Sequence, residues 1–271
     1  MTDLGRLRAV AMTVAAEAAG LVAATRESAV IDVRTKSTET DVVTAGDRAA
    51  ERLIRERLGD LRPGEPVFGE EEGGALAVRE ADGVGWVVDP IDGTVNYLYG
   101  LPWYAVSVAA TYAGATVAAA VVEPVSGRVW SAARGRGATL GERPLRVSAV
   151  RRLDLALIGT GYAYSPALRS WQAGLGAELA VRARDVRRGG SAVLDLCSVA
   201  AGWLDGYVEH ALSPWDWAGA SLIAAEAGAV VRLPRADGTD PDGLGADATM
   251  AVAPGVADQL AAVVREVAAT R

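Results

Sequence analysis

The sequence predicts an α+β protein, and three observations carry that reading. Residues 4–26 place Leu7, Val10, Ala11, Val14, Ala18, Leu21 and Val22 at helical spacing. Residues 104–133 hold three apolar runs divided by short turn stretches, the spacing of an antiparallel meander. From residue 155 onward strand-like and helix-like runs alternate, which favours a sheet sandwiched by helices. These patterns divide the chain into an N-terminal half, 1–145, and a C-terminal half, 146–271.

Composition narrows the function. Hydrophobic residues make up 51% of the 271, enough to build a sizeable core. Basic residues number 27 against 34 acidic ones, a net charge of −7. That argues against nucleic acid as the main partner, because phosphate backbones reward basic surfaces. A small phosphate ester stays compatible, since a bound divalent cation reverses the sign locally. The lone Cys197 rules out an intrachain disulfide and reads as core. The lone His210 comes with no nucleophile motif, so neither a Ser-His-Asp nor a zinc site is supported. Residues 9–24 are Ala-rich and interrupted by Glu17, a helix rather than an export signal. No run of 18 uncharged apolar residues occurs, so no membrane span is predicted and a cytoplasmic protein is the expectation.

After the first helix, residues 28–44 are polar and read as a loop or hairpin, with Lys36 a solvated loop lysine. Thr44 and Asp47 fit a capping box opening a helix with Ala50, Leu53, Ile54 and Leu58 on its apolar face. Asp47 therefore has a complete local explanation. A brief strand at Val67 and Phe68 runs into Gly69 and three glutamates, Glu70 to Glu72. Such a run is usually a solvated face. If this strand and the next end at one sheet edge, however, Glu70 comes beside Asp89. Residues 73–83 suit a surface loop.

The apolar run 84–88 reads as a buried strand ending in Asp89-Pro90-Ile91-Asp92-Gly93-Thr94. Pro90 fixes φ and Gly93 allows a sharp turn. Two carboxylates this close repel unless protonated or shared by a cation, and oxygen ligands select hard ions such as Mg²⁺. An ordinary turn explains the same residues, and the stretch alone leaves both readings open. A short helix over 95–99 closed by Gly100 would put the Gly93 and Thr94 amides at a helix N-terminus, a place for an anion. Meander strands follow at 104–111, 116–123 and 128–133.

The second half predicts strands at 155–159, 182–187, 206–209, 230–233 and 249–253. Helices are predicted at 166–179, 191–203, 214–227 and 256–269, with a polar loop over 234–247. Asp216, in Ser213-Pro214-Trp215-Asp216, reads locally as a helix cap. Gly159-Thr160-Gly161 lacks the third glycine of a dinucleotide fingerprint.

Taken together, Gly69-Glu70-Glu71, the run Trp86 to Tyr97, and Trp215-Asp216-Trp217-Ala218-Gly219-Ala220 with Glu226-Ala227-Gly228 resemble the three motifs of the inositol monophosphatase family, in order and spacing. Gly190-Ser191-Ala192 matches as well. The resemblance covers nearly the whole chain. It implies an alternating αβαβα layered sandwich, a homodimer, and a lithium-sensitive phosphatase using two or three Mg²⁺ per site. It implies Glu70, Asp89 and the Ile91 carbonyl around a first metal, and Asp89, Asp92 and Asp216 around a second. Gly93 and Thr94 amides would bind phosphate, Thr94 and Asp47 would orient the attacking water, and Glu209 and Ser191 would contact substrate. Glu70 would also take part in catalysis through a looser third metal site. The implied substrate is inositol 1-phosphate, with histidinol phosphate, fructose 1,6-bisphosphate and adenosine 3′,5′-bisphosphate as alternatives. Asn96-Tyr97 and Glu209 lean towards the inositol phosphatases. A non-catalytic, protein-binding role on the same fold is the reading from another class.

Overall fold

The computed structural model describes residues 3–31, 33–36, 42–74, 83–235 and 237–270. Helix α1 (Leu4–Ala29) starts at Asp3, whose side chain accepts hydrogen bonds from the Gly5 and Arg6 amides. Strands β1 (Val33–Thr35) and β2 (Val42–Thr44) form an antiparallel ladder, and residues 37–41 lie outside the described residues. Helix α2 (Ala45–Leu61) follows directly, and the Thr44–Asp47 capping box is present.

A seven-stranded sheet comes next, built from β3 (Val67–Gly69), β4 (Val84–Asp92), β5 (Ala105–Tyr112), β6 (Ala115–Val122), β7 (Val129–Ala133), β8 (Ala138–Leu140) and β9 (Arg143–Pro144) in that order. The short helix α3 (Thr94–Tyr99) lies between β4 and β5 and stops at Gly100 in the left-handed conformation, as its sequence implies. In this sheet β3–β4 pairs parallel and the other pairs are antiparallel, with β5, β6 and β7 forming the predicted meander. Strands β8 and β9 depart from the sequence expectation, because pieces of three and two residues carry no readable period. Of the predicted surface loop 73–83, residues 75–82 lie outside the described residues.

The five-stranded second sheet has the order β11 (Asp185–Arg187), β10 (Leu157–Thr160), β12 (Gly206–His210), β14 (Ala248–Val252), β13 (Val230–Arg232). Helices α4 (Pro166–Arg182), α5 (Ala192–Ala200), α6 (Pro214–Glu226) and α7 (Ala257–Ala268) alternate with these strands.

Packing sorts these elements into five layers. Leu7, Ala11, Val14, Ala18 and Val22 of α1, with Ile54 and Leu58 of α2, bury one face of the first sheet beside Val88, Val106 and Val108. Helices α5 and α6 fill the space between the two sheets, where Val193, Leu196, Ile223 and Trp217 meet Val87, Ala109 and Tyr207. Helices α4 and α7 cover the far face of the second sheet through Leu175, Leu179, Leu260 and Val264. The result is the αβαβα sandwich. By length and mean hydropathy α1 is also suited to crossing a membrane. Its apolar stripe, though, is the floor of the first core. Helix α6 is tied to the meander at its other end, where the Glu226 carboxylate accepts the Gly135 and Gly137 amides at 2.8 Å each.

Ile54 is fully buried between α1 and the first sheet. Ile54→Ala is expected to lower the unfolding free energy by about 2–5 kcal/mol, through lost apolar transfer and a residual cavity. A reduced urea midpoint with an unchanged slope would register it.

Candidate active site

Strand β4 pairs with β5 in regular register down to Asp89 opposite Ser107, but the next pair is Asp92 opposite Ala105. Three steps on β4 thus match two on β5, which is a β-bulge. In a regular strand residues 89 and 92 would face opposite sides of the sheet. The bulge turns both carboxylates into one site. Pro90 sits within it, where its missing N–H costs no ladder bond. Asp89 and Asp92 are only 1% and 7% exposed.

Asp216 reaches the same point from the first turn of α6, its Oδ2 accepting the Ser213 amide at 2.7 Å. One carboxylate oxygen from each of Asp89, Asp92 and Asp216 lies within 4.8 Å of the others. At an effective dielectric of about 20, two full charges at that range repel by roughly 3–4 kcal/mol. Helix ends offset part of this. Asp92 Oδ2 accepts the Ser191 hydroxyl and the Val193 amide (2.9 Å) at the start of α5. Asp89 Oδ1 accepts the Ile91 amide at 3.0 Å. Asp89 Oδ2 is buried and has no hydrogen-bond partner among the described residues. A buried carboxylate oxygen without a donor is an open ligand position for a cation.

The protonation of the cluster reflects the same strain. Burial, then the charges of Glu70, Asp92 and Asp216, push the Asp89 carboxyl well above its usual range. Asp216 is raised likewise by burial, Glu70 and Asp92. Asp92 rises to about 6 through burial, moderated by its bonds from Ser191 and the α5 amides.

Glu70 follows β3, and the parallel pairing of Gly69 with Val88 puts the two strand ends at one sheet edge, as the sequence suggested. Its carboxylate is outside the cluster of three. Lys36 Nζ bonds it at 2.9 Å and Glu71 at 2.5 Å. Lys36 is exposed, as its loop position suggests, but its ammonium sits in a carboxylate pair at the mouth of the site. Nothing in the local sequence of a polar segment marks that pairing. Burial lifts the Glu70 carboxyl to about 7, with Lys36 opposing.

Asp47 has two jobs. Its Oδ2 accepts the Thr44 amide (2.7 Å) and hydroxyl (2.6 Å), closing the cap, while its Oδ1 faces Thr94 Oγ1 at 3.1 Å. Thr94 Oγ1 is also 3.0 Å from the Ile91 carbonyl. Gly93 precedes Thr94 at φ +93°, and a Cβ there would meet the Trp103 and Gly190 carbonyls at 3.1 and 3.2 Å. Asn96, which the sequence offers as a substrate-class marker, is a clamp: its Nδ2 donates to the Trp103 (2.7 Å) and Gly189 (3.0 Å) carbonyls, joining the two halves beneath the site.

Glu70, Asp92, Gly93, Thr94, Ser191, Glu209 and Asp216 all line one cleft of about 300 Å³ between the halves. Ser191 lines it with its hydroxyl turned onto Asp92. Glu209 accepts the Tyr207 hydroxyl, and burial raises its carboxyl to about 7. Gly161 makes room for it, since a Cβ there would lie 1.8 Å from Glu209 Oε2. The glycines at 159 and 161 thus serve close approach. Arg188, Asp195 and Trp215 also line the cleft, and sequence reasoning misses all three. Asp195 in particular hides within an apolar helix run. Trp215 packs against Phe68 in a tilted arrangement, 5.3 Å between ring centres, joining the residue before Asp216 to the strand before Glu70.

A family model described as the inositol monophosphatase family matches residues 3–268. The chain belongs to the inositol monophosphatase family. It is 52% identical to the inositol-1-monophosphatase of Mycobacterium leprae over 97% of this chain and 94% of that one. A protein of Vibrio cholerae named Nus factor SuhB is 36% identical over 85% of this chain and 86% of its own. The structure of Mycobacterium tuberculosis SuhB matches with a TM-score of 0.83 at 44% identity, covering 98% of both chains. As a family member the protein is a phosphoric monoester hydrolase, and its acidic cluster suits a metal-dependent one.

The raised carboxyl values give a pH dependence. Glu70 and Asp92 hold protons in the folded, metal-free protein to about 7 and about 6, above their unfolded values. Between the unfolded values and those limits these two groups bind more protons in the folded state, so their contribution to stability is fullest below about pH 4 and is lost as pH rises through 6–7. A metal-free melting series from pH 5 to 7.5 should show this fall, and Asp89→Asn should raise the midpoint and flatten it. Equal slopes in both proteins would show that the fall does not arise in the carboxylate cluster.

Proposed function

We propose that the protein hydrolyses inositol 1-phosphate to inositol and phosphate with two or three Mg²⁺ ions per site. The observation carrying this is the gathering of Asp89, Asp92 and Asp216 from two halves of the chain, with a buried Asp89 oxygen lacking any donor among the described residues. An all-oxygen donor set suits Mg²⁺. Glu70, Asp89 and the Ile91 carbonyl would hold one ion, Asp89, Asp92 and Asp216 a second, and Glu70 would share in a looser third. Bound Mg²⁺ supplies acidification of water and electrostatic stabilisation of the phosphoryl group and leaving alkoxide.

The chain's own residues do the rest. Gly93 and Thr94, at the start of α3, offer amides to the phosphate. Thr94 donates its hydroxyl proton to Asp47 Oδ1, which leaves the Thr94 oxygen to accept a proton from water and aim it at phosphorus. The capping bonds from Thr44 lock Asp47 in that orientation. Glu209 on the opposite wall accepts a substrate hydroxyl, and Ser191 adds a polar contact beside Asp92. Relatives of about 50% identity named inositol-1-monophosphatase favour the inositol ester. We take the protein to be a cytoplasmic homodimer of two-lobed chains, inhibited by lithium.

Phosphate release should be measured from inositol 1-phosphate, fructose 1,6-bisphosphate, histidinol phosphate and adenosine 3′,5′-bisphosphate, each with Mg²⁺, with EDTA, and with Mg²⁺ plus Li⁺. The inositol ester should be preferred, with activity lost in EDTA and reduced by Li⁺; preference for another ester would reassign the substrate. Thr94→Val should lower kcat about 10²–10⁴-fold, the range for a positioned proton acceptor, with the melting profile little changed. Full activity in that variant would remove Thr94 from the water-orienting role.

The relatives named Nus factor SuhB support a second reading, a protein-binding role on the same fold. Partner capture that survives Asp89→Asn, with hydrolysis abolished, would favour it.

A further inference from the structure

Helix α2 carries a polar stripe on the face it turns towards the site. Asp47, Glu51 and Arg55 are spaced four apart, so they line one side of the helix. Asp47 meets Thr94. Glu51, fully buried at 0% exposure, has no part in the proposed hydrolysis. Its carboxylate reaches the turn after β3, where Oε2 accepts the Glu71 amide at 2.7 Å and Oε1 the Glu72 amide at 3.1 Å. Arg55 fixes that carboxylate through Nε and Nη2, at 2.9 and 2.7 Å from Oε1. The same guanidinium donates to the Val67 carbonyl at 3.2 Å and the Gly73 carbonyl at 2.6 Å, one on each side of the turn. Gly69 closes the turn with a bond from its amide to the Gly73 carbonyl at 3.0 Å. A Cβ at Gly69 would meet Glu51 Oε1 at 2.3 Å, and its three nearest neighbours are all atoms of the Glu51 carboxylate.

We infer that Glu51, braced by Arg55, is a positioning residue for the metal site: it holds the amides of Glu71 and Glu72 and thereby fixes where Glu70 presents its carboxylate. The inference rests on Glu70 being a metal ligand. It gives Gly69 a specific reason, because only a residue without a side chain lets the Glu51 carboxylate lie against the strand end. It also makes α2 the common support of the water-orienting Asp47 and of Glu70. A charged acceptor for two backbone amides is a strong restraint in a buried setting. Partners that orient a metal ligand typically change metal affinity about 10–100-fold when removed.

The test is calorimetric titration of the metal-free full-length protein with Mg²⁺ for wild type, Glu51→Gln, Gly69→Ala and Glu70→Gln, with melting temperatures alongside. Glu51→Gln keeps one acceptor and turns an NH₂ towards the other amide. Gly69→Ala pushes the carboxylate away by an independent route, and it carries the test if Glu51→Gln does not fold. Both should raise the half-saturating Mg²⁺ concentration about tenfold or more. A purely structural Glu51 would lower the melting temperature and leave the titration unmoved, which would overturn the inference. If Glu70→Gln itself leaves Mg²⁺ binding unchanged, the metal-ligand reading of Glu70 fails and the positioning role falls with it. If Glu70→Gln weakens binding and the other two do not, the positioning role alone fails.

Discussion

The repulsion among three closely placed carboxylates, two buried and one half-buried, is the constraint around which the molecule is built. Asp89, Asp92 and Asp216 bring oxygens within 4.8 Å of each other, where unscreened charge opposes folding. They stay there because the elements carrying them are fixed by something else. The β4 bulge is held by pairing with β5, and α6 is wedged between two sheets by Trp217, Leu222 and Ile223. Apolar burial in three cores thus supports a polar arrangement that is unfavourable by itself. A divalent cation would convert that opposition into binding energy, which is the usual relation between a strained site and its ligand.

Besides α3, which starts at Thr94, three helices begin at this site and bring a carboxylate or hold one. The first turn of α2 carries Asp47, α5 offers its Val193 amide to Asp92, and α6 carries Asp216. Helix N-termini bear unpaired donors and partial positive charge, so each is a favourable place for a carboxylate. Cap and site are therefore one solution. A residue such as Asp47 satisfies its helix with one oxygen and addresses Thr94 with the other. The five-layer order makes the convergence possible, because α5 and α6 lie between the two sheets and point their N-termini into the cleft that separates the halves.

Close approach is the second device. Gly161 lies against Glu209 and Gly69 against Glu51, each at a distance that excludes a Cβ, and Gly93, at positive φ, lies against two carbonyls that would crowd one. The glycines flanking the acidic residues are therefore more than turn formers. They let charged side chains pack onto backbone in a site with little spare volume. Asn96 and the Phe68–Trp215 contact serve the same end by pinning one half to the other.

Much of this is legible in the chain. The helical stripe of residues 4–26, the meander, the parallel approach of Glu70 to Asp89 and the caps at Thr44 and Ser213 are local patterns, and local patterns are set by backbone sterics and hydrophobic period. Three spaced motifs point to the family without any geometry. The short strands β8 and β9 escape sequence reading because they are smaller than one period, and the Lys36–Glu70 pair because its partners are 34 residues apart. Local sequence favours the cap for both Asp47 and Asp216, and a site role asks for the same residue in the same place, so it leaves no separate local mark. Only the tertiary structure brings the capping Asp47 onto Thr94 and the capping Asp216 beside Asp89 and Asp92. It does so by placing the ends of α2, α5, α6 and β4 at one point, and no residue's neighbours in the chain encode that long-range meeting of side chains.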